Sequence, residues 1–222
     1  MKNVRFGVFG LGRGDDFVGN MRKNGAELVA ICDKNEKLLA QRQEQYPGVA
    51  AYTNFDEFIN HEGLDAIVVA NYFHEHAPYA IKALEKNIHV LSECTPAGTM
   101  GEAVALVRAA EKSDAIYMLA ENYPYMKFNQ EMRRVYQSGV LGKIYYIQTG
   151  GGRRRGIPTP YGTTFIEDET AGLGALGDIG CYSLDMVLNA VGNPKPLTVS
   201  GYKSDFFGKD PNYSGYPEAK RA

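Results

Sequence analysis

The sequence lacks an excess of charge of either sign. It contains 24 Lys and Arg against 26 Asp and Glu, which gives a formal net charge of −2 over 222 residues. Proteins that bind nucleic acid or an anionic membrane through charge usually carry a clear basic excess. No such partner is therefore expected, and a small neutral or mildly polar ligand is the better prediction.

Cysteine is scarce, and long apolar runs are absent. The three cysteines, Cys32, Cys94 and Cys181, are odd in number and have no CxxC spacing, which argues against a disulfide framework and against a structural metal site. No apolar run is long enough to span a bilayer, and MKNVRFGVFG starts a strand-like pattern instead of the apolar core of a signal peptide. These absences predict a cytoplasmic protein.

Apolar residues make up 44% of the chain, enough for a substantial core. Strand-like runs at 3–9, 27–32, 49–53, 64–70, 89–93 and 115–121 alternate with helical patterns at 16–24, 35–46, 55–60, 75–87 and 100–113, and a further helix is predicted at 127–139. This strict alternation predicts an α/β fold, a doubly wound parallel sheet of the Rossmann type with right-handed crossovers.

The composition changes beyond about residue 140. Alternating apolar residues predict strands at 143–151 and 196–204, and a helix lies within 177–192. A Gly/Pro/Arg loop at 152–165 contains three arginines, which suit a substrate carboxylate or phosphate, or simply a solvated loop. We predict two domains, 1–122 and 123–222, of which the second is α+β, and a poorly ordered tail from residue 207.

The turn GLGRG, residues 10–14, follows the first strand and opens a helix. Gly10 permits the tight turn, Gly12 lets the backbone approach a pyrophosphate, and the helix N-terminus supplies oriented N–H groups. Arg13 and Gly14 complete this candidate cofactor site, although Asp15 stands where GxGxxG has its third glycine. A purely structural glycine turn is the alternative.

Asp33 ends the second strand, 23 residues after Gly10. An acidic residue in this place takes the ribose hydroxyls of a dinucleotide and disfavours a 2′-phosphate. The pattern therefore predicts NAD, and Lys34 next to Asp33 leaves NADP open.

Three more cofactor candidates follow strands of the predicted sheet, because ligands of open α/β sheets bind at the carboxyl ends of the strands. Asn71 ends the fourth strand, and His76 follows it with either a cofactor-edge role or a helix-capping role. Asn122 follows the sixth strand, where Tyr123 and Tyr125 either face a sugar-like ligand or belong to the core.

Together these segments resemble the glucose–fructose oxidoreductase / inositol dehydrogenase family, Gfo/Idh/MocA, over nearly the whole chain. The matching stretches are GLGRG (10–14), Asp33, YTNFDEF (52–58), AIVVANYFHEHAPYAIKALEKNIHVLSE (66–93), SGVLGKIYYIQ (138–148) and GALGDIGCYSLD (174–185). The resemblance implies an NAD(P)-binding Rossmann domain and a C-terminal domain whose open sheet covers the nicotinamide and pairs in a homo-oligomer, a dimer or tetramer. That domain normally continues well past residue 222, so the chain is expected to be incomplete relative to the family.

One family motif is altered at the end of the fifth strand. Most of the family has Glu-Lys-Pro there, and its lysine approaches the nicotinamide and the reacting hydroxyl; this chain has Glu93, Cys94 and Thr95. A thiol is mostly neutral near pH 7 and cannot replace a fixed cation. Cys94 is expected to pack inertly or to be a reactive thiol, and the resemblance implies that Glu93 faces the nicotinamide as a catalytic and cofactor-binding residue.

The second altered motif is D-x-G-x-H-x-x-D, which here runs from Asp178 to Asp185 with Tyr182 at the histidine position. The resemblance implies that Tyr182 is the acid/base and that Asp178 positions the substrate. A phenol passes a proton between a hydroxyl and solvent, but its free pKa near 10 needs lowering by a nearby cation. Packing of Tyr182 at a domain interface is the alternative.

Three functions follow from these features. The first is an NAD(P)-dependent oxidoreductase that transfers a hydride between the nicotinamide and a sugar, cyclitol or related polyol. The second, implied by the missing lysine and by the resemblance of the ENYPY stretch to NAD-dependent glycosidases of the same superfamily, is a glycosidase that works by redox-neutral oxidation and elimination. The third is a catalytically impaired dinucleotide-binding fragment.

Overall fold

The computed structural model describes residues 3–150 and 180–202. These residues divide into two compact units, the first ending at Ala120 and the second comprising 121–150 and 180–202. The predicted domain limits of 1–122 and 123–222 lie close to this division and are retained as a proposal. The arginine loop, Asp178 and the tail from residue 207 lie outside the described residues.

The first unit alternates strands and helices, as predicted. Its strands are β1 (Arg5–Phe9), β2 (Glu27–Cys32), β3 (Ala50–Tyr52), β4 (Ala66–Val69), β5 (His89–Ser92) and β6 (Tyr117–Leu119). Its helices are α1 (Asp15–Lys23), α2 (Glu36–Gln45), α3 (Phe55–Phe58), α4 (His76–Glu85) and α5 (Met100–Lys112), with a 3₁₀ turn at Phe73–Glu75. None of the helices within 3–150 and 180–202 combines the length and apolar character needed to cross a membrane.

The six strands form one parallel sheet in the order β3-β2-β1-β4-β5-β6. This order confirms the predicted Rossmann-type fold. The chain reverses its direction of winding between β1 and β4, and a crevice at the carboxyl ends of the strands is the usual ligand site of such sheets.

Side chains on the two faces of the sheet build two separate core layers. In β4 all four residues are buried; Ala66 and Val68 pack in one layer with Val8, whereas Ile67 and Val69 pack in the other with Phe9. Burial on both faces explains why β4 is a continuous apolar run without polar alternation. The sheet is therefore a rigid platform for the loops at its edges.

In the second unit, α6 (Lys127–Gln137) and α7 (Gly180–Ala190) form where helices were predicted, preceded by a 3₁₀ turn at Tyr123–Tyr125. The predicted strands at 143–151 and 196–204 are wrong over their described parts, 143–150 and 196–202, which contain no strand. A strand needs a neighbour to satisfy its backbone groups, and the described residues of this unit offer none. Tyr145 and Leu197 are accordingly 85% and 97% exposed.

Tyr46 at the end of α2 ties that helix to α1. Its hydroxyl donates to Asp15 Oδ1 at 2.5 Å, and Arg42 contacts Asp15 Oδ2 at 3.1 Å. Burial raises the pKa of Tyr46 to about 12, and the hydrogen bond to Asp15 adds to the rise. This contact is therefore present with the phenol protonated.

We expect the free energy of unfolding to fall as pH rises from about 10 to about 12. The folded pKa of Tyr46 lies above its unfolded value near 10, so the contribution is complete below pH 10 and is lost through the folded pKa. Urea unfolding across this range measures the effect, and Tyr46→Phe should show a smaller fall. An identical pH dependence in both proteins would rule out Tyr46 as its source.

Candidate functional site

The loops that follow β1, β2, β4 and β5 meet at the carboxyl edge of the sheet, in the first unit. Gly10 lies directly after β1, and its amide N–H donates to the carbonyl of Cys32 at the end of β2, at 2.9 Å. Its φ of +88° suits glycine, and a Cβ there would lie 2.4 Å from the backbone nitrogen of Asn71. The turn after β1 is thus pressed against both neighbouring strand ends.

Gly14 takes the role expected of a third glycine. It precedes α1, and a Cβ there would lie 2.3 Å from the carbonyl oxygen of Gly10 and 2.5 Å from Val8 Cγ1. Close packing of helix on strand therefore requires glycine at 14, and Asp15 is free to contact α2 instead. The departure from GxGxxG does not disturb the turn.

Gly12 is a glycine of the turn with free space beside its Cα. A Cβ at this position would meet no atom of the described residues within 4 Å, and α1 begins three residues later. Glycine is thus not needed for packing here, whereas a ligand phosphate approaching the backbone would need the space.

Asp33 is held in place by two backbone groups. Its Oδ2 accepts the N–H of Leu11 at 2.7 Å, and its Oδ1 accepts the N–H of Asn35 at 2.8 Å. Each carboxylate oxygen retains a second lone pair for a ligand hydroxyl. Asp33 thus joins the glycine turn to the end of β2, and its ribose-binding role stays a prediction.

Arg13 and Glu93 are brought together from loops 80 residues apart. Arg13 Nε donates to Glu93 Oε1 at 2.7 Å, and its Nη1 donates to Asp16 Oδ2 at 2.7 Å. The other carboxylate oxygen of Glu93 accepts the N–H of Cys94, and the Cys94–Thr95 peptide is cis. Partial burial lowers the pKa of Arg13, but the contacts with Glu93 and Asp16 outweigh it, so the pKa is raised. Arg13 therefore enters the candidate site as an oriented cation.

Asn71 and His76 lie side by side after β4. His76 is 1% exposed; its Nδ1 is 2.8 Å from the carbonyl oxygen of Thr95 and its Nε2 is 3.1 Å from that of Asn71. Burial lowers the pKa of His76, so the ring is neutral and donates to only one of these carbonyls. The ring contacts the backbone of two loops, and its cofactor role stays a prediction.

The amide of Asn71 has a vacant acceptor. Its Nδ2 donates to Glu75 Oε2 at 3.3 Å, whereas its Oδ1 is buried with no hydrogen-bond partner among the described residues. Buried polar atoms are normally satisfied, so a ligand donor suits this position. With the space at Gly12 and the carboxylate of Asp33, the edge fits a dinucleotide.

Tyr182, the catalytic candidate of the second unit that the structure describes, lies on α7. The rings of Tyr182 and Tyr123 stack with centroids 4.5 Å apart and planes at 22°. Asp185, one turn further on, has a buried Oδ2 with no hydrogen-bond partner among the described residues, and burial followed by the charge of Glu121 raises its pKa. Asn122 begins the 3₁₀ turn at Tyr123–Tyr125 and is exposed.

Sequence reasoning missed Glu75. This residue contacts Lys34, Asn71 and His74, which belong to the loops after β2 and β4. The available signal was a carboxylate between His74 and His76, just after a buried strand. Histidine more often marks a site than a loop carboxylate does, so the pattern favoured His74 and His76.

Comparison with known proteins identifies the family. Residues 4–121 match the Gfo/Idh/MocA model, described as an oxidoreductase family with an NAD-binding Rossmann fold. Residues 129–212 match the C-terminal domain of the same family.

Two curated relatives and one solved structure illustrate the similarity. The chain is 28% identical over 180 residues to D-glucoside 3-dehydrogenase of Escherichia coli K12, covering 81% of this chain and 51% of that protein. It is 30% identical over 157 residues to Glycosyl hydrolase family 109 protein 1 of Shewanella sp. ANA-3, covering 66% and 34%. The WlbA dehydrogenase from Bordetella pertussis, in complex with NADH and UDP-GlcNAcA, matches with a TM-score of 0.61 at 24% identity, covering 65% of this chain and 42% of that one.

The chain spans about half the length, or less, of the curated relatives described above. Its matches nevertheless include both the N-terminal and the C-terminal domain models. This chain therefore belongs to the Gfo/Idh/MocA family of oxidoreductases, and its first domain is an NAD-binding Rossmann domain.

Proposed function

We propose that this chain binds NAD(H) at the carboxyl edge of its sheet and serves an oxidoreductase that transfers a hydride between the nicotinamide and a sugar, cyclitol or related polyol. The contact between Asp33 Oδ2 and the N–H of Leu11, at 2.7 Å, carries this proposal. It joins the glycine turn to the ribose-binding carboxylate. The name of the D-glucoside 3-dehydrogenase relative supports a carbohydrate substrate.

The residues of the first unit would each hold one part of the dinucleotide. The turn from Gly10 to Gly14 and the start of α1 bind the pyrophosphate, with Arg13 oriented by Glu93. Asp33 accepts from the ribose hydroxyls, and Asn71 Oδ1 accepts from a further donor of the ligand. His76 positions the backbone of Asn71 and Thr95. NAD, when bound, supplies the hydride chemistry.

Residues of the second unit transfer the proton of the substrate hydroxyl. Tyr182 moves a proton at its hydroxyl between the substrate hydroxyl and solvent, and Asp178 orients the substrate. The stacking on Tyr123 limits the rotation of the Tyr182 ring and so directs its hydroxyl. NADP in place of NAD remains a secondary proposal because Lys34 follows Asp33.

Calorimetric titration of the purified chain with NAD⁺, NADH and NADP⁺, together with mass spectrometry for a co-purified cofactor, tests this function. Binding of NAD(H) would justify a screen of sugars, cyclitols and polyols. If no dinucleotide binds, the chain has the family fold without the proposed function.

Asp33→Asn should weaken NAD⁺ binding by about tenfold or more. The amide replaces one acceptor oxygen with a donor, so it conflicts with a backbone N–H or with a ribose hydroxyl. Calorimetry measures the loss. Asp114→Asn removes the same charge from the exposed loop before β6 and should bind NAD⁺ as the unaltered chain does; equal affinities in all three proteins would contradict the ribose role.

A redox-neutral glycosidase is the second candidate, and Cys94 favours it. The lysine typical of the family is replaced by a thiol, and one relative carries the name Glycosyl hydrolase family 109 protein 1. Net turnover would leave the amount of NADH unchanged while an aryl glycoside releases its leaving group. NADH formed without release of the leaving group would instead identify a dehydrogenase.

Self-association and a cytoplasmic location belong to the same proposal. Exposed apolar side chains such as Tyr145 and Leu197 in the second unit support a homo-oligomer, because large exposed apolar groups favour burial between subunits. The few cysteines, without a disulfide pattern, support a reducing compartment. Light scattering on the purified chain tests the oligomer, and a monomer at all concentrations would contradict it.

A further inference from the structure

Glu75 links the two loops that flank the proposed adenosine-ribose position. Its Oε2 is 3.5 Å from Lys34 Nζ and 3.3 Å from Asn71 Nδ2, and its Oε1 is 3.9 Å from His74 Nε2. It lies in the 3₁₀ turn after β4, 41 residues from Lys34. Only the parallel order of the strands brings these side chains together.

Lys34 is the cation adjacent to Asp33. In Rossmann folds a carboxylate at the end of the second strand accepts from a ribose 2′-hydroxyl, and a cation nearby accommodates a 2′-phosphate. Lys34 is 62% exposed on its side chain and therefore accessible to such a phosphate. Its ammonium, however, already has a carboxylate neighbour.

The local charges oppose a phosphate. Asp33 and Glu75 supply two negative charges against the single positive charge of Lys34. A 2′-phosphate would have to take Lys34 from Glu75 and would then lie beside the carboxylate of Asp33. The ribose hydroxyl of NAD carries no charge and meets neither obstacle.

We propose that Glu75 is a specificity-determining residue that selects NAD over NADP because its carboxylate holds the Lys34 ammonium in an ion pair. This inference rests on the proposed dinucleotide site. It assigns to Glu75 no contact with the reacting atoms. Because Lys34 is largely exposed, the ion pair contributes little stability, and its proposed consequence is for ligand choice.

Glu75→Gln isolates the charge. The carboxamide keeps an acceptor oxygen for Asn71 Nδ2 and the same shape, but it no longer neutralises Lys34. We expect the ratio of the NADP⁺ dissociation constant to the NAD⁺ dissociation constant to fall by about tenfold, as for one charge a few ångströms from a phosphate in a half-exposed site. Calorimetry on the whole chain measures both constants.

Two further variants test whether Glu75 acts through Lys34. In a Lys34→Gln background, Glu75→Gln should change the ratio by less than about twofold, because the group on which it acts is gone. Glu62→Gln removes the same charge from the exposed loop before β4, at the other edge of the sheet, and should leave the ratio unchanged.

The outcomes separate this inference from the function on which it rests. An unchanged ratio in Glu75→Gln, with NAD⁺ bound by the unaltered chain, overturns the inference alone. An equal fall with and without Lys34 also overturns it, because Glu75 then acts by direct repulsion. Absence of any dinucleotide binding to the unaltered chain removes the proposed function, and the inference with it.

Discussion

Gly12→Ala is expected to weaken NAD⁺ binding by about 100-fold without unfolding the protein. A Cβ at Gly12 meets no described atom within 4 Å, so the folded chain accepts it. On our proposal the pyrophosphate occupies that space, and a methyl group keeps the phosphate from the backbone N–H groups. Calorimetry measures the affinity, and thermal unfolding should show a stability change within about 0.5 kcal/mol.

Two other glycines serve as matched controls. Gly10→Ala should destabilise the fold by about 2 kcal/mol or more, because residue 10 has φ +88° and its Cβ would press on the backbone of Asn71. Gly19 lies inside α1 with open space around it. Gly19→Ala should raise the free energy of unfolding by about 0.5–1 kcal/mol and leave the NAD⁺ affinity unchanged. Unaltered NAD⁺ affinity in Gly12→Ala would show that the turn does not bind the pyrophosphate.

The fold of the first unit was predictable because its signals are local. β4 is continuously apolar since both of its faces are buried. Helix starts are marked by side chains that cap them: Asn35 accepts from Leu38, and Thr99 and Glu102 form a capping box. These contacts span three residues, so a single stretch of sequence contains both partners.

The glycine turn and Asp33 were predictable for a similar reason. Both follow strands of a parallel sheet, and such strands present their carboxyl ends at one edge. The prediction therefore required only the order of elements. The contact from Leu11 to Asp33 is the structural result of that order.

The sequence could not predict which side chains of different loops would pair. Arg13 meets Glu93, and Lys34 meets Glu75, only because the loops after β1 and β5 and those after β2 and β4 converge. Charged residues are common in loops, so no sequence pattern selects these partners. Their contribution to ligand choice depends on distances of a few ångströms.

The predicted strands at 143–151 and 196–204, which are wrong over 143–150 and 196–202, show where pattern alone is not enough. Alternation of apolar residues states which face of a strand would be buried, but it does not supply a partner strand. Tyr145, Leu197 and Val199 have the pattern of strand residues and are more than four-fifths exposed in the structure. Pattern alone predicted a structure whose hydrogen-bonding partners the described chain does not provide.

Tyr182→Phe is expected to reduce turnover of a sugar substrate by about 10²–10⁴-fold, the usual contribution of a positioned acid/base. Phenylalanine keeps the ring that stacks on Tyr123 at 4.5 Å and removes only the hydroxyl. NAD⁺ affinity should change little and the variant should still unfold cooperatively, which separates a lost proton carrier from a damaged fold. Tyr136→Phe, in α6, removes a hydroxyl from the same unit and should keep full turnover.

The assay must follow both possible reactions of the proposed site. NADH formation reports a dehydrogenase, whereas release from an aryl glycoside without net NADH reports the redox-neutral route; Tyr182→Phe should impair whichever the protein performs, since each needs a proton moved at a sugar hydroxyl. Unchanged turnover would leave Tyr182 as a packing residue. Asp185 would then be the next acid/base candidate, because burial and the charge of Glu121 raise its pKa, a direction that favours the proton-carrying form.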